Sequence, residues 1–246
     1  MARDPERRAE LTEHLAELRA RLIRSVIYIV VGFAGAWLLY PRLLAILIRP
    51  MREVLDRVGS KFLLTGFPEA FMIQVQVCLI AGLIFALPLL TLELWGFVSP
   101  GLTREEKRPL RWLVPLAIVL FASGVAMCYV VLPAAFRWFV SYVPEGAELR
   151  PTVQGSLLFT LKMLFAFGVS FEMPVVLMLL AKVGIIDAKL LTSNWRYAMV
   201  GVCVMAAVAT PSGDALTMMT LAAPLAGLYF LSILFVRLVQ PKRPRD

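Results

Sequence analysis

Glu172 stands where a carboxylate is costly. It is the sixteenth residue of the apolar run Leu157–Ala181. A charged side chain at the middle of a bilayer costs about 2.5–3.5 kcal/mol on insertion scales. Its carboxyl must therefore face a wet cavity, meet a polar partner or hold a proton. A buried hydrogen bond that specifies the fold is the plainer alternative. Pro174, two residues on, has no N–H and leaves a backbone carbonyl unpaired nearby. Lys162 lies ten residues earlier, about 15 Å along a straight helix, too far for a direct ion pair; it can snorkel outward.

Three further groups of residues have chemical potential. In Leu11-Thr12-Glu13-His14-Leu15-Ala16-Glu17-Leu18-Arg19-Ala20-Arg21, the leucines 11, 15, 18 and 22 form one helical stripe. Glu17 and Arg21 form an i,i+4 pair, worth about 0.2–0.5 kcal/mol. An interfacial helix with solvated charges has the same pattern. Gly96-Phe97-Val98-Ser99-Pro100-Gly101-Leu102 stops a helix and sets Phe97 at a membrane interface, ahead of Arg104-Glu105-Glu106. A plain span terminus with a solvated charge cluster also fits. In Thr210-Pro211-Ser212-Gly213-Asp214, a turn by composition, Asp214 can cap the helix that follows.

Other chemistry is excluded by what is missing. His14 is the only histidine, so a histidine triad or a multi-histidine metal site is impossible. Cys78, Cys128 and Cys203 are far apart inside apolar runs and read as core residues. No nucleotide-binding or metal motif is present. The expectation is a non-enzyme without cofactors, driven by an external source such as the membrane potential or a proton gradient.

The elements that must position these residues follow from composition. The chain has 246 residues, 60% of them hydrophobic and 17% charged, with a mean hydropathy of +0.79. Soluble domains run nearer 45–50% apolar and about 25% charged. The expected class is an all-α integral membrane protein with several spans. Residues 1–21 read as a polar N-terminal helix. Spans are expected at about 22–40, 70–98, 112–132, 157–181, 197–209 and 215–236, the last two short. Residues 41–69 contain an amphipathic helix, with Leu43, Leu44, Leu47, Ile48, Met51, Val54, Leu55 and Val58 at helical spacing, expected to lie on the membrane and not to cross it. The segments 133–155 and 182–196 read as loops. One six-span membrane domain accounts for the whole chain.

Basic residues set the orientation. Seventeen of the 25 lysines and arginines fall on the side that carries both termini and seven on the other, with Lys162 inside a span. The positive-inside rule then places both termini in the cytoplasm, and an even number of spans follows. The formal net charge of +8 is thereby assigned to membrane orientation and not to nucleic acid. A proton-coupled secondary transporter using Glu172 is the rival reading, but the inverted repeats such a protein would show are missing. An intramembrane enzyme would need a convergent nucleophile and base, which are also missing.

Taken in order, four motifs resemble the TatC family, the multispanning subunit of the twin-arginine protein translocase. They are His14-Leu15-x-Glu17-Leu18-Arg19-x-Arg21; Phe97-Val98-Ser99-Pro100-Gly101-Leu102 with Glu106; Phe167-Gly168-Val169-Ser170-Phe171-Glu172-Met173-Pro174; and Thr210-Pro211 with Asp214 and Pro224. The resemblance implies a concave, glove-like bundle in the bacterial cytoplasmic membrane. It implies a receptor for folded precursors with paired-arginine signal peptides. It also implies single-span partners of the TatA and TatB type, with self-association possible. By motif position, Glu17, Arg19, Phe97 and Glu106 correspond to signal-peptide-binding residues. Pro50, Glu172 and Asp214 correspond to other functional positions.

Overall fold

The computed structural model describes residues 5–98, 110–144, 146–182, 184–209 and 215–239. Helix α1, Pro5–Leu38, is a single element of 34 residues, about 51 Å long at 1.5 Å per residue. The polar N-terminal stretch and the first apolar run are therefore one helix, and after Pro5 no proline interrupts it. Its outer face exposes Leu22, Val26, Val30 and Val31, as suits a helix whose solvent is lipid.

Leu39 breaks the helix, and α2 begins at once with Pro41 in its first turn. It spans Tyr40–Leu55. The expected amphipathic pattern is realised as far as Leu55: Leu47, Pro50, Met51, Val54 and Leu55 are buried, while Arg42, Arg49, Arg52 and Glu53 face out. Val58, expected on the same apolar stripe, falls in the turn that follows and is exposed. A 3-10 turn at Asp56–Val58 ends on Gly59, whose φ of 67° favours glycine.

Helix α3, Phe67–Val98, packs along α1. The two backbones meet at glycine. A Cβ on Gly32 would strike the carbonyl oxygen of Gly82, and one on Gly82 would strike the backbone of Phe33. Close crossings in membranes depend on such small residues, because lipid supplies no hydrophobic drive for helix association.

Helix α4, Leu110–Val140, corrects the expected loop after residue 132. Pro133 removes one backbone hydrogen bond, but the aromatic residues beyond it hold the helix on. Phe136 and Phe139 both meet Phe159 edge to face, with centroids 5.5 and 5.6 Å apart.

The fourth apolar run is not one straight helix. It divides into α5, Val153–Phe171, and α6, Met173–Lys182, with Glu172 between them. Pro174 has no N–H for the carbonyl four residues back, and the Glu172 N–H turns to the Val169 carbonyl at 3.1 Å. Thr152 caps α5 by accepting from the Gly155 N–H. The expected loop over 182–196 contains a further short helix, α7, Ala188–Ser193, capped by Asp187. Helix α8, Trp195–Ala209, has 15 residues. Helix α9, Ala215–Val239, has 25. The fifth run is thus short as expected. The sixth is not, because its apolar residues continue past 236 and Arg237 sits at its end.

Among the described residues, five segments are long and apolar enough to cross a membrane, and Trp195–Val208 is a shorter apolar helix. Burial separates them. In Val153–Lys182, 67% of the apolar stretch is buried, against 6% in Leu15–Leu38. Helices α5 and α6 therefore form the centre of the bundle and α1 lies at its edge. Phe167, Leu157 and Leu161 of α5 pack with Val77 of α3 and Leu221 and Leu225 of α9. A second cluster joins Val175 and Met178 of α6 to Leu191 of α7 and Ile233 and Val236 of α9. Tyr229 of α9 donates to the Leu191 carbonyl at 2.8 Å within it. At the end of the bundle away from the N-terminus, the chain before α3 pairs with the chain before α5. Leu63 N–H donates to the Pro151 carbonyl at 3.0 Å, and Val153 N–H to the Leu63 carbonyl at 3.1 Å.

Candidate functional site

Glu17, Arg21, Arg24 and Tyr28 recur at four-, three- and four-residue spacing, so they share one face of α1. That face meets the last turns of α3 at Glu93. The Arg21 guanidinium bridges the two helices. Its Nη2 and Nε donate to Glu17 Oε1 at 2.6 and 3.1 Å. Its Nη1 reaches Glu93 Oε2 at 3.3 Å and the Glu93 carbonyl at 3.4 Å. Arg24 Nε pairs with Glu93 Oε1 at 3.1 Å, and the Tyr28 hydroxyl donates to the same oxygen at 3.2 Å. Gly96, one turn beyond Glu93, leaves the space that the guanidinium fills: a Cβ there would overlap Arg21 Nη1.

Exposure grades outward across the cluster. The Glu93 side chain is 12% exposed, Arg21 18% and Glu17 32%. An unpaired carboxylate as sheltered as Glu93 would be strongly destabilising; two guanidiniums and a hydroxyl compensate it. Glu93 is the anchor, and Glu17 is the carboxylate that remains open to approach. Both Arg21 bonds to Glu17 converge on Oε1, and neither uses Oε2. A fixed, partly exposed carboxylate with an oxygen that no described residue engages is suited to accept a charge-assisted hydrogen bond from a cation.

The other residues singled out by sequence fall as follows. Arg19 is exposed on α1 and takes no part in this cluster. Phe97 follows Gly96 in the final turn of α3, so its backbone adjoins the notch; its side chain lies outside the described residues. Glu106 and Asp214 also lie outside them. Pro50 is buried in α2, away from the charged face. Glu172 is 5% exposed, and neither of its carboxyl oxygens has a hydrogen-bond partner among the described residues.

Glu93 and Gly96 are the residues whose role the sequence did not disclose. The signal was present in two halves: a polar face on α1 spaced 17, 21, 24, 28, and a carboxylate near the end of another apolar run with glycine one turn on. Only the fold brings the halves together. Among the described residues, no group of three or more His, Cys, Asp or Glu is placed to hold a metal ion.

A second feature is apolar. A cavity of about 610 Å³ opens between α2, α3, α4 and α5, lined by residues that include Leu43, Phe85, Pro88, Phe121, Tyr129 and Leu161. The Tyr129 hydroxyl is satisfied by the Ile46 carbonyl at 2.9 Å.

Comparison with known proteins gives a consistent result. The family model described as Sec-independent protein translocase protein (TatC) matches residues 13–224. The chain is 39% identical to a Sec-independent protein translocase protein TatC of Desulforapulum autotrophicum, covering 100% of this chain and 90% of the relative. It is 39% identical to that of Campylobacter jejuni, covering 96% and 97%. It is 36% identical to a chloroplastic relative from Pisum sativum, covering 92% of this chain and 63% of the relative. A crystal structure described as the twin arginine translocase receptor TatC in DDM superposes with a TM-score of 0.77 at 33% identity. It covers 91% of this chain and 99% of that one.

Proposed function

The chain belongs to the TatC family of Sec-independent protein translocase proteins, and from that premise we propose that it is the receptor for paired-arginine signal peptides. The observation that carries this reading is the Glu17 carboxylate, partly exposed and held by Arg21, with one oxygen uncommitted among the described residues. A guanidinium presents N–H donors in a planar fork, and a carboxylate is its natural acceptor. Glu17 and Glu106 accept the two arginines, with Arg19 and Phe97 completing the contact surface. Both termini lie in the cytoplasm, where a precursor arrives, and the protein resides in the bacterial cytoplasmic membrane.

The apolar stretch of the signal peptide then needs an apolar surface. The cavity between α2, α3, α4 and α5 offers one. Helix α8 is about 22 Å long, shorter than the roughly 30 Å hydrocarbon core, and thins the bilayer locally. Partners of the TatA and TatB type assemble on the receptor, and the membrane potential or proton gradient supplies the driving force. The chain itself performs no bond chemistry. Pro50, Glu172 and Asp214 support transport away from the recognition face.

The test is binding of a labelled paired-arginine peptide to the purified chain, with a Lys-Lys peptide as the control. A clear arginine preference supports the receptor reading. Equal affinity for the two peptides overturns it.

A further inference from the structure

The function proposed for Glu17 does not require Glu93, yet Glu93 is the most sheltered member of the charged cluster. Its bonds run to three residues of α1 on one face: Arg21, Arg24 and Tyr28. The Arg21 side chain lies in the notch at Gly96, where even a methyl group would displace it. One edge of that guanidinium is thus tied to α3 and the other is spent on Glu17 Oε1. A free glutamate samples many rotamers and loses that freedom on binding. A glutamate already ordered loses less, and its remaining oxygen has a defined direction.

We propose that Glu93 is a positioning residue for arginine recognition: it seats Arg21 in the Gly96 notch, and Arg21 in turn aims Glu17 Oε2 at an incoming guanidinium. The inference rests on the reading of Glu17 as a signal-peptide acceptor, and it assigns the specificity of that site to a residue that never touches the peptide. Orientation is what separates arginine from lysine. A compact ammonium bonds a carboxylate from any side, whereas a planar fork benefits from an acceptor with fixed geometry. Losing the relay therefore costs more for an arginine peptide than for a lysine peptide.

The experiment uses the full chain in lipid nanodiscs and measures affinity for an Arg-Arg peptide and its Lys-Lys counterpart. The variants are Glu93→Gln, which is isosteric, Arg21→Ala, and Arg21→Lys, which keeps the charge without the fork. Thermal unfolding of each variant is recorded alongside. The expected result is a loss of about tenfold for the Arg-Arg peptide in Glu93→Gln and Arg21→Ala, on the scale of one oriented charge-assisted hydrogen bond. The Lys-Lys affinity changes little, so the preference collapses, and Arg21→Lys fails to restore it. If Arg21→Ala does not fold, Glu93→Gln carries the test. Equal losses for both peptides mean a merely structural role and overturn the proposal. Tighter binding by Arg21→Ala also overturns it, because Arg21 would then be a competitor for Glu17. A wild-type chain with no arginine preference refutes the receptor reading itself. A wild-type preference that survives in Glu93→Gln refutes only the role given to Glu93.

Discussion

Replacing Gly82 with alanine tests the crossing of α1 and α3 on which the charged face depends. A Cβ at Gly82 would lie 2.5 Å from Phe33 N, 2.7 Å from Phe33 Cα and 2.8 Å from the Gly32 carbonyl carbon. All three are backbone atoms, so no side chain can swing away. Ordinary contact begins near 3.4 Å, and the helices must part by up to about 0.9 Å, the difference between 3.4 and 2.5. Overpacking of this kind costs about 1–3 kcal/mol. Alanine also returns about 0.5–1 kcal/mol of helix stability relative to glycine. Gly35→Ala isolates that gain, because nothing lies within 4 Å of a Cβ at Gly35. The propensity term cancels between the two variants, which leaves the overpacking term as their difference. At about 2–4 °C per kcal/mol for a chain near this size, the unfolding midpoints should differ by about 2–12 °C, with Gly82→Ala lower. Thermal unfolding in one detergent measures both. Equal midpoints would refute the backbone contact.

Other expectations can be checked separately. Tyr229→Phe removes a buried hydrogen bond to the Leu191 carbonyl and should cost about 1 kcal/mol in unfolding experiments, with signal-peptide binding unchanged. Glu172→Leu should leave membrane insertion intact and raise thermal stability, because it removes a buried carboxyl with no described partner, while transport falls; Glu172→Gln should be milder. Wild-type transport by the leucine variant would reduce Glu172 to packing. Reporter fusions after residues 60, 105, 145, 190 and 246 should read out, in, out, in and in, and an outside signal at 246 would overturn the orientation.

Local pattern made much of the fold legible. The leucine spacing after residue 42 marked α2 and its buried face, because a 3.6-residue period survives whatever the helix packs against. The pairing of Glu17 with Arg21 was legible for the same reason, being one helical turn apart. The loop expected from residue 133 was wrong over its first turns because the contacts of Phe136 and Phe139 with Phe159, which hold the helix on past Pro133, are long-range and leave no local pattern. Pro174 had the opposite outcome: it parts α5 from α6 at Glu172. The charged face between α1 and α3 was half legible. Arg21 and Glu93 are 72 residues apart, and no spacing rule links a side chain on α1 to a notch on α3. Their juxtaposition depends on how closely the two backbones approach at Gly32 and Gly82, which is a property of the packed bundle.

The central claim, that defined carboxylates read the two arginines, is tested most directly by peptide affinity in four variants at two salt concentrations. Glu17→Gln and Glu106→Gln remove the proposed acceptors. Glu13→Gln and Glu105→Gln remove neighbouring acids at other positions in the sequence. A hydrogen bond to a charged group contributes about 1.5–3 kcal/mol, and partial exposure holds each acceptor near the low end. Loss of Glu17 or Glu106 should therefore weaken binding roughly tenfold. The effect should shrink as salt screens exposed charges over roughly 8–10 Å, and the two neighbours should change affinity little. Equal losses at all four positions would mean a diffuse acidic field, and wild-type affinity in Glu17→Gln and Glu106→Gln would contradict the account.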